Sequence, residues 1–181
     1  MAKALIVIDM LQGYMKDVQD SEKVVKNIVM LVEHFQKNKC KVILSVPDFN
    51  RKEQNPVMIR LWGEEFKDDP ESQKVVKELA SLKYDKVIKK EEYSSFYKTD
   101  LEQYCKKNNI TELYFTGIFS GCCVLFTAVD AAYRHIQPYL VTDAVGGPRR
   151  KLVERNWQKD TFERFKLMIG PLVKTKNITK E

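Results

Sequence analysis

Histidine is almost missing from this chain: of 181 residues only His34 and His135 carry an imidazole. Neither stands at metal-ligand spacing from a second ligand, which argues against a histidine-built metal centre and leaves both as structural side chains. The four cysteines, Cys40, Cys105, Cys122 and Cys123, form no C-x-x-C pair, so a zinc finger or disulfide scaffold is not indicated. Two of them are adjacent, and disulfide geometry is awkward across one peptide bond. Reduced thiols in the cytoplasm are expected. No apolar run approaches the roughly 20 residues that span a bilayer. The run Ala4–Ile8 is also short for a signal sequence, and Asp9 interrupts it, so it reads as a buried first strand. Walker, GxGxxG and GxSxG signatures are absent, and no cofactor is expected.

What is present suits one α/β domain over residues 1–181, with 44% apolar and 31% charged residues. The net charge of +6 raises the question of nucleic acid. The lysines, however, alternate with acids, as in Lys74-Val75-Val76-Lys77-Glu78, which is the pattern of a solvated helix face. Neither a nucleic-acid nor a membrane partner is expected.

Short β-branched runs recur at Ala4–Met10, Lys41–Val46, Lys86–Lys89, Glu112–Ile118 and Pro138–Asp143, with a weaker one at Pro171–Val173. Near-continuous apolar runs of this kind are buried parallel strands. Helical spacing lies between them. Val24, Ile28, Leu31 and Phe35 mark one helix, with Ser21 as its N-cap. Pro70 opens another over Glu71–Leu82. Thr99 and Glu102 have capping-box spacing for a helix through Lys107. Further helices are expected over Cys122–Arg134 and Arg150–Phe165. The alternation predicts a three-layer α/β/α sandwich with a mostly parallel sheet of about six strands. In such sheets ligands sit at the carboxyl ends of strands. The irregular stretch Pro47–Asp69 has the length of a lid or binding loop.

Three places can carry chemistry. Asp9 closes the apolar first strand, where a carboxylate is solvated, paired or functional. Lys89 and Lys90 end the third strand, and adjacent strand residues face opposite ways, so their environments differ. The segment Thr116–Val124 leads from a strand through a glycine-punctuated turn into a helix, with Cys122 and Cys123 at the junction. Unpaired N–H groups at a helix start stabilise a thiolate and a developing oxyanion. On these grounds alone either cysteine is the nucleophile or a small buried hydrophobe.

Together these segments resemble the isochorismatase-like cysteine hydrolases, a superfamily that includes nicotinamidases, N-carbamoylsarcosine amidases and isochorismatases. The family's first strand ends in an aspartate followed by Gln or Asn and an aromatic, here Asp9-Met10-Leu11-Gln12-Gly13-Tyr14. Its lysine stands three residues before a Tyr-Ser-x-Phe unit, here Lys90 ahead of Tyr93-Ser94-Ser95-Phe96. Its cysteine directly precedes Val and a T-A-x-D-A helix, here Cys123-Val124 and Thr127–Ala131. The resemblance runs from about Lys3 to Gly146. It implies an Asp9–Lys90–Cys123 triad and an oxyanion hole from the N–H groups of Phe119 and Cys123. It also implies a cis peptide between Ile118 and Phe119 and a homo-oligomer.

The chain departs from the family where nicotinamidases hold a metal. Their D-x-H unit reads Asp48-Phe49-Asn50 here, and the W-G-x-H unit of related enzymes reads Trp62-Gly63-Glu64-Glu65. Imidazole ligands are lacking, and Asp48 and Glu65 leave only oxygen donors. The expectation is a metal-independent amidase that releases ammonia from a small amide or N-carbamoyl compound, most like N-carbamoylsarcosine amidase. Tyr14, Trp62, Phe96 and Phe119 are expected to shape its pocket, and Arg149 and Arg150 to bind a substrate carboxylate. The rival expectations are a nicotinamidase-type or isochorismatase-type hydrolase and a non-catalytic interaction protein on the same fold.

Overall fold

A computed structural model describes residues 2–50, 55–62, 69–148 and 157–180, with the backbone alone at 58, 61 and 62. Six strands form one sheet: β1 (Ala2–Ile8), β2 (Lys41–Pro47), β3 (Lys86–Lys90), β4 (Ile110–Ile118), β5 (Gln137–Gly146) and β6 (Leu172–Val173). Their order is β3-β2-β1-β4-β5-β6, and every neighbouring pair is parallel. All six apolar runs of the sequence are strands.

The helices among the described residues are α1 (Gln12–Met15), α2 (Ser21–Lys37), α3 (Pro56–Trp62), α4 (Lys77–Ala80), α5 (Leu101–Lys107), α6 (Cys123–Tyr133), α7 (Trp157–Met168) and α8 (Thr175–Ile178). Strand alternation sorts the core into two halves. From β1, Ala4, Ile6 and Ile8 face one way and pack with Leu101 and Cys105 of α5, Val124, Ala128 and Ala131 of α6, and Phe165 of α7. Leu5 and Val7 face the other way and pack with Val24, Ile28, Leu31, Val32 and Phe35 of α2, Leu79 of α4 and Ile178 of α8. The result is the three-layer α/β/α sandwich. Among the described residues no helix is long and apolar enough to cross a membrane.

Three helix expectations need correction. The helix over Glu71–Leu82 shrinks to α4. Backbone N–H groups of Gln12 and Gly13 donate to the carbonyls of Lys74 and Ser72, and Val76 N–H donates to the Met10 carbonyl. Pairing with the segment after β1 thus uses carbonyls that a helix would have needed. Asp20, not Ser21, is the N-cap of α2. The capping box at α5 does not form: Asp100 is the cap, Thr99 Oγ1 accepts from Leu101 N–H at 3.2 Å, and Glu102 turns to Lys106 and Arg134. Of the stretch Pro47–Asp69, the described part contains α3. Residues 150–156 of the expected late helix lie outside the described residues, and α7 begins at Trp157.

Candidate active site

The strand order reverses between β1 and β4, since β2 lies on one side of β1 and β4 on the other. A crevice opens at such a switch point because the chain leaves the two strands in opposite directions. Asp9 follows β1 at one lip, and the turn from Phe119 to Cys122 follows β4 at the other. Lys90 ends β3 and reaches the same place across the end of β2.

Asp9 is buried and takes a left-handed backbone, φ 53°. Its N–H donates to the Ser45 carbonyl at 2.9 Å, and its own carbonyl accepts from Leu11 N–H at 2.8 Å. Gly117 is what lets β4 come so close to β1. It has φ 104°, and a side chain there would meet the Ile8 carbonyl oxygen at 2.0 Å. The peptide between Ile118 and Phe119 is cis, as expected. Cys123 is the first residue of α6, so its N–H belongs to the turn that lacks intrahelical acceptors.

Lys90 ties the cluster together. Its Nζ lies 2.8 Å from Asp9 Oδ2 and 3.4 Å from Cys123 Sγ, and donates to the Glu92 carbonyl at 3.1 Å. Burial alone would lower the Lys90 ammonium, but the charges of Asp9 and then Cys123 outweigh it and hold the lysine protonated. The second carboxylate oxygen, Asp9 Oδ1, is buried and has no hydrogen-bond partner. Cys123 differs from the expectation of a thiol depressed by a helix start. Burial and then the Asp9 carboxylate push it well above its ordinary value, and Lys90 opposes them only in part. At rest the sulfur holds its proton beside the Asp9 carboxylate, to which it hydrogen-bonds. Cys122 is pushed up to about 11 by burial, eased by Lys90.

Lys89, next along β3, is exposed, so the two lysines separate as strand alternation requires. Tyr14 and Phe119 meet edge to face with centroids 5.6 Å apart. Phe96 is not brought to them. It is 4% exposed in the core beside Ile88, Leu101 and Cys105, with the Arg134 guanidinium 4.9 Å over its ring. The Trp62 side chain, Glu65, Arg149 and Arg150 lie outside the described residues. Asp48 Oδ1 accepts from Asn50 N–H at 3.0 Å, closing a local turn. His34 and His135 lie on α2 and just past α6 respectively, so the donors beside Asp48 do not make a nicotinamidase-type imidazole site. Among the described residues no group of three or more His, Cys, Asp or Glu could hold a metal.

Sequence reasoning missed the hydroxyls behind the cluster. Ser45 Oγ and Ser95 Oγ are 2.7 Å apart, Ser95 N–H donates to Thr127 Oγ1 at 3.1 Å, and Thr127 Oγ1 donates to the Cys123 carbonyl at 2.6 Å. A signal was available: Ser45 is a lone hydroxyl in a buried apolar strand, where it must find a partner.

A doubly wound parallel sheet with a buried lysine and carboxylate beside a partly exposed thiol at its switch point is an arrangement suited to nucleophilic chemistry. Residues 3–176 match the Isochorismatase domain family model, and the chain belongs to that family, with its hydrolase fold. Enterobactin synthase component B of Escherichia coli is 30% identical over 125 residues, covering 68% of this chain and 44% of that protein. The chain therefore matches less than half the length of that curated relative. N-carbamoylsarcosine amidase from Thermoplasma acidophilum superposes with a TM-score of 0.79 at 25% identity, covering 97% of each chain. A cysteine hydrolase from Pseudomonas syringae pv. phaseolicola superposes with a TM-score of 0.88 over 98% of this chain and 91% of that one. Its 18% identity makes this a likeness of fold.

Proposed function

We propose that the chain is a metal-independent cysteine amidohydrolase that cleaves the C–N bond of a small amide or N-carbamoyl compound. The observation that carries this reading is the cluster in which one buried lysine touches both a buried carboxylate and a partly exposed thiol. The thiol proton passes to Asp9, to which the thiol hydrogen-bonds. The sulfur bonds to the substrate carbonyl carbon, and the oxygen takes the negative charge toward the N–H groups of Phe119 and Cys123. Collapse breaks the C–N bond while Asp9 returns its proton to the nitrogen, which leaves as ammonia. Asp9 then takes a proton from water as it attacks the thioester, the C–S bond breaks, and the thiol is restored. Lys90 stays cationic throughout and offsets the charge that moves between sulfur and carboxylate.

The relation to N-carbamoylsarcosine amidase supports the N-carbamoyl class. Ether cleavage of the isochorismatase type, favoured by the family model's description, makes no use of the thiol that Lys90 approaches. The four free cysteines support a cytoplasmic location. The test is ammonia release across N-carbamoylsarcosine, nicotinamide, pyrazinamide and ureidoglycolate-like compounds, run with and without EDTA. Release from an N-carbamoyl acid that survives EDTA is the expected result. Loss with EDTA and recovery with zinc or iron would show that Asp48, Asn50 or Glu65 holds a metal.

A further inference from the structure

The segment from residue 91 to residue 100 joins β3 to α5 without regular structure, and β3 is an edge strand of the sheet. Lys90 thus has a neighbouring strand on one side only, and its ammonium leans on the Glu92 carbonyl of this segment. The position of the segment therefore bears on the distance from Lys90 to Cys123. Irregular backbone of this kind stays in place only if side chains tether it.

Asn55 Nδ2 donates to Glu92 Oε1 at 2.9 Å and Ser45 Oγ lies 2.7 Å from Ser95 Oγ, and the other tethers come from one face of α6. Cys123, Thr127, Asp130 and the C-cap residue Arg134 follow at helical spacing. Thr127 Oγ1 accepts from Ser95 N–H. Asp130 Oδ2 accepts from Ser94 Oγ at 2.5 Å, and Ser94 Oγ accepts in turn from Phe96 N–H at 3.2 Å. Asp130 is itself braced: Arg134 Nη1 donates to its Oδ1 at 2.9 Å, while Arg134 Nε donates to Glu102 Oε2 on α5 at 2.8 Å. The contacts close a ring. It runs from Cys123 along α6 to Asp130, across to Ser94, back two residues to the Glu92 carbonyl, and through Lys90 Nζ to Cys123 Sγ.

We propose that Asp130, acting through Ser94, is a positioning residue that holds the Lys90 ammonium against the Cys123 thiol. This rests on the reading of Lys90 as the cation that serves the nucleophile. A carboxylate suits the place because it accepts from Ser94 with one oxygen and from Arg134 with the other. Asp130→Ala removes both side-chain acceptors and leaves Arg134 on Glu102 and on the backbone carbonyl of residue 130, so the turn at Ser94 loses its bond to α6 and the Glu92 carbonyl is held less firmly. A role in folding alone would lower the melting temperature and leave the thiol chemistry unchanged.

The experiment is the rate of Cys123 alkylation by iodoacetamide against pH, read by mass spectrometry. The chains compared are wild type, Lys90→Met, Asp130→Ala, Asp130→Asn, Ser94→Ala, Ser94→Thr and the Ser94→Ala/Asp130→Ala double variant. Losing the nearby cation moves the profile to higher pH in Lys90→Met. Asp130→Ala and Ser94→Ala should move it the same way but less far, with alkylation about three- to tenfold slower at neutral pH. The double variant should be no slower than the slower single one, since both break one tether. Ser94→Thr, which keeps the hydroxyl, should restore the wild-type profile. Asp130→Asn and Ser94→Ala carry the test if Asp130→Ala does not fold. A wild-type profile in the Asp130 and Ser94 variants beside a displaced Lys90→Met profile would overturn the positioning role and leave the reading of Lys90 intact. An undisplaced Lys90→Met profile would overturn both.

Discussion

The sheet carries a lysine–aspartate pair at each end, both with an N–O distance of 2.8 Å. At the amino ends, Lys41 opens β2 and bonds Asp85 just before β3, with side chains 38% and 32% exposed. At the carboxyl ends, Lys90 closes β3 and bonds Asp9 just after β1, with side chains 5% and 4% exposed. Distance does not distinguish the two pairs; their surroundings do. Water competes for Lys41 and Asp85, so that pair contributes little. Lys90 and Asp9 have given up their hydration, and such a pair offers no dependable stability over well-packed apolar side chains. What the carboxyl-end pair has, and the other lacks, is a thiol 3.4 Å from its lysine and a carboxylate oxygen with no partner. Buried charge of this kind points to chemistry more than to scaffolding.

The sharpest way to separate the ends is to remove the thiol. Cys123→Ala should lower kcat/KM by at least about 10³-fold, as expected when a nucleophile is lost, with the fold retained. Cys122→Ala should keep the nucleophile and remain active. If steady-state rates show the reverse, the nucleophile is Cys122.

The next largest effect belongs to the buried lysine. Lys90→Met leaves Asp9 charged and unpaired in the interior, a situation that costs about 3–5 kcal/mol in urea unfolding. Removing the ammonium also deprives Cys123 of the cation that opposes burial and the Asp9 charge, so the thiol rises further and turnover falls at neutral pH. Asp9→Asn should lose turnover as well, because an amide cannot carry a proton from thiol to ammonia. Steady-state kcat/KM of Asp9→Asn against wild type measures this. Turnover undiminished in Asp9→Asn would mean that Asp9 is not the proton carrier.

Much of this contrast was legible in the sequence. The apolar runs placed all six strands, and the resemblance to the cysteine hydrolases singled out Asp9, Lys90 and Cys123, whose side chains meet at the crevice. The separation of Lys89 from Lys90 followed from strand alternation alone. What pattern could not supply was competition between distant segments. Helical spacing over Glu71–Leu82 is genuine, yet the chain after β1 claims the backbone of residues 72–76. Phe96 reads as a pocket aromatic, but its side chain fills the space beneath Arg134. The state of the Cys123 thiol was misjudged because a helix start is a local feature, while burial and the Asp9 charge come from the whole site.

The smallest effect tests the amino-end pair. Lys41→Ala should change stability by only about 0.2–1 kcal/mol, and the difference should shrink in high salt. The pH dependence gives the more informative result. Burial would raise the Asp85 carboxyl, but the hydrogen bonds from Lys41 and from Val42 N–H outweigh it and hold the group below its ordinary value. A carboxyl depressed in the folded state stabilises the fold above its unfolded pKa, and that contribution disappears as pH falls through the lower folded value. Lys41 is raised, mainly by its hydrogen bond and then by its attraction to Asp85. A raised lysine stabilises below its unfolded pKa and loses that contribution as pH rises through the folded value. The pair therefore acts across the neutral range and fades at both extremes. Asp85→Asn should flatten the acid limb of stability below about pH 4, where ordinary aspartates titrate. Lys41→Met should flatten the alkaline limb above about pH 10. Equilibrium urea unfolding at a series of pH values measures both. An acid limb unchanged in Asp85→Asn would mean that other carboxylates carry it, and that the amino-end pair contributes nothing the solvent does not replace.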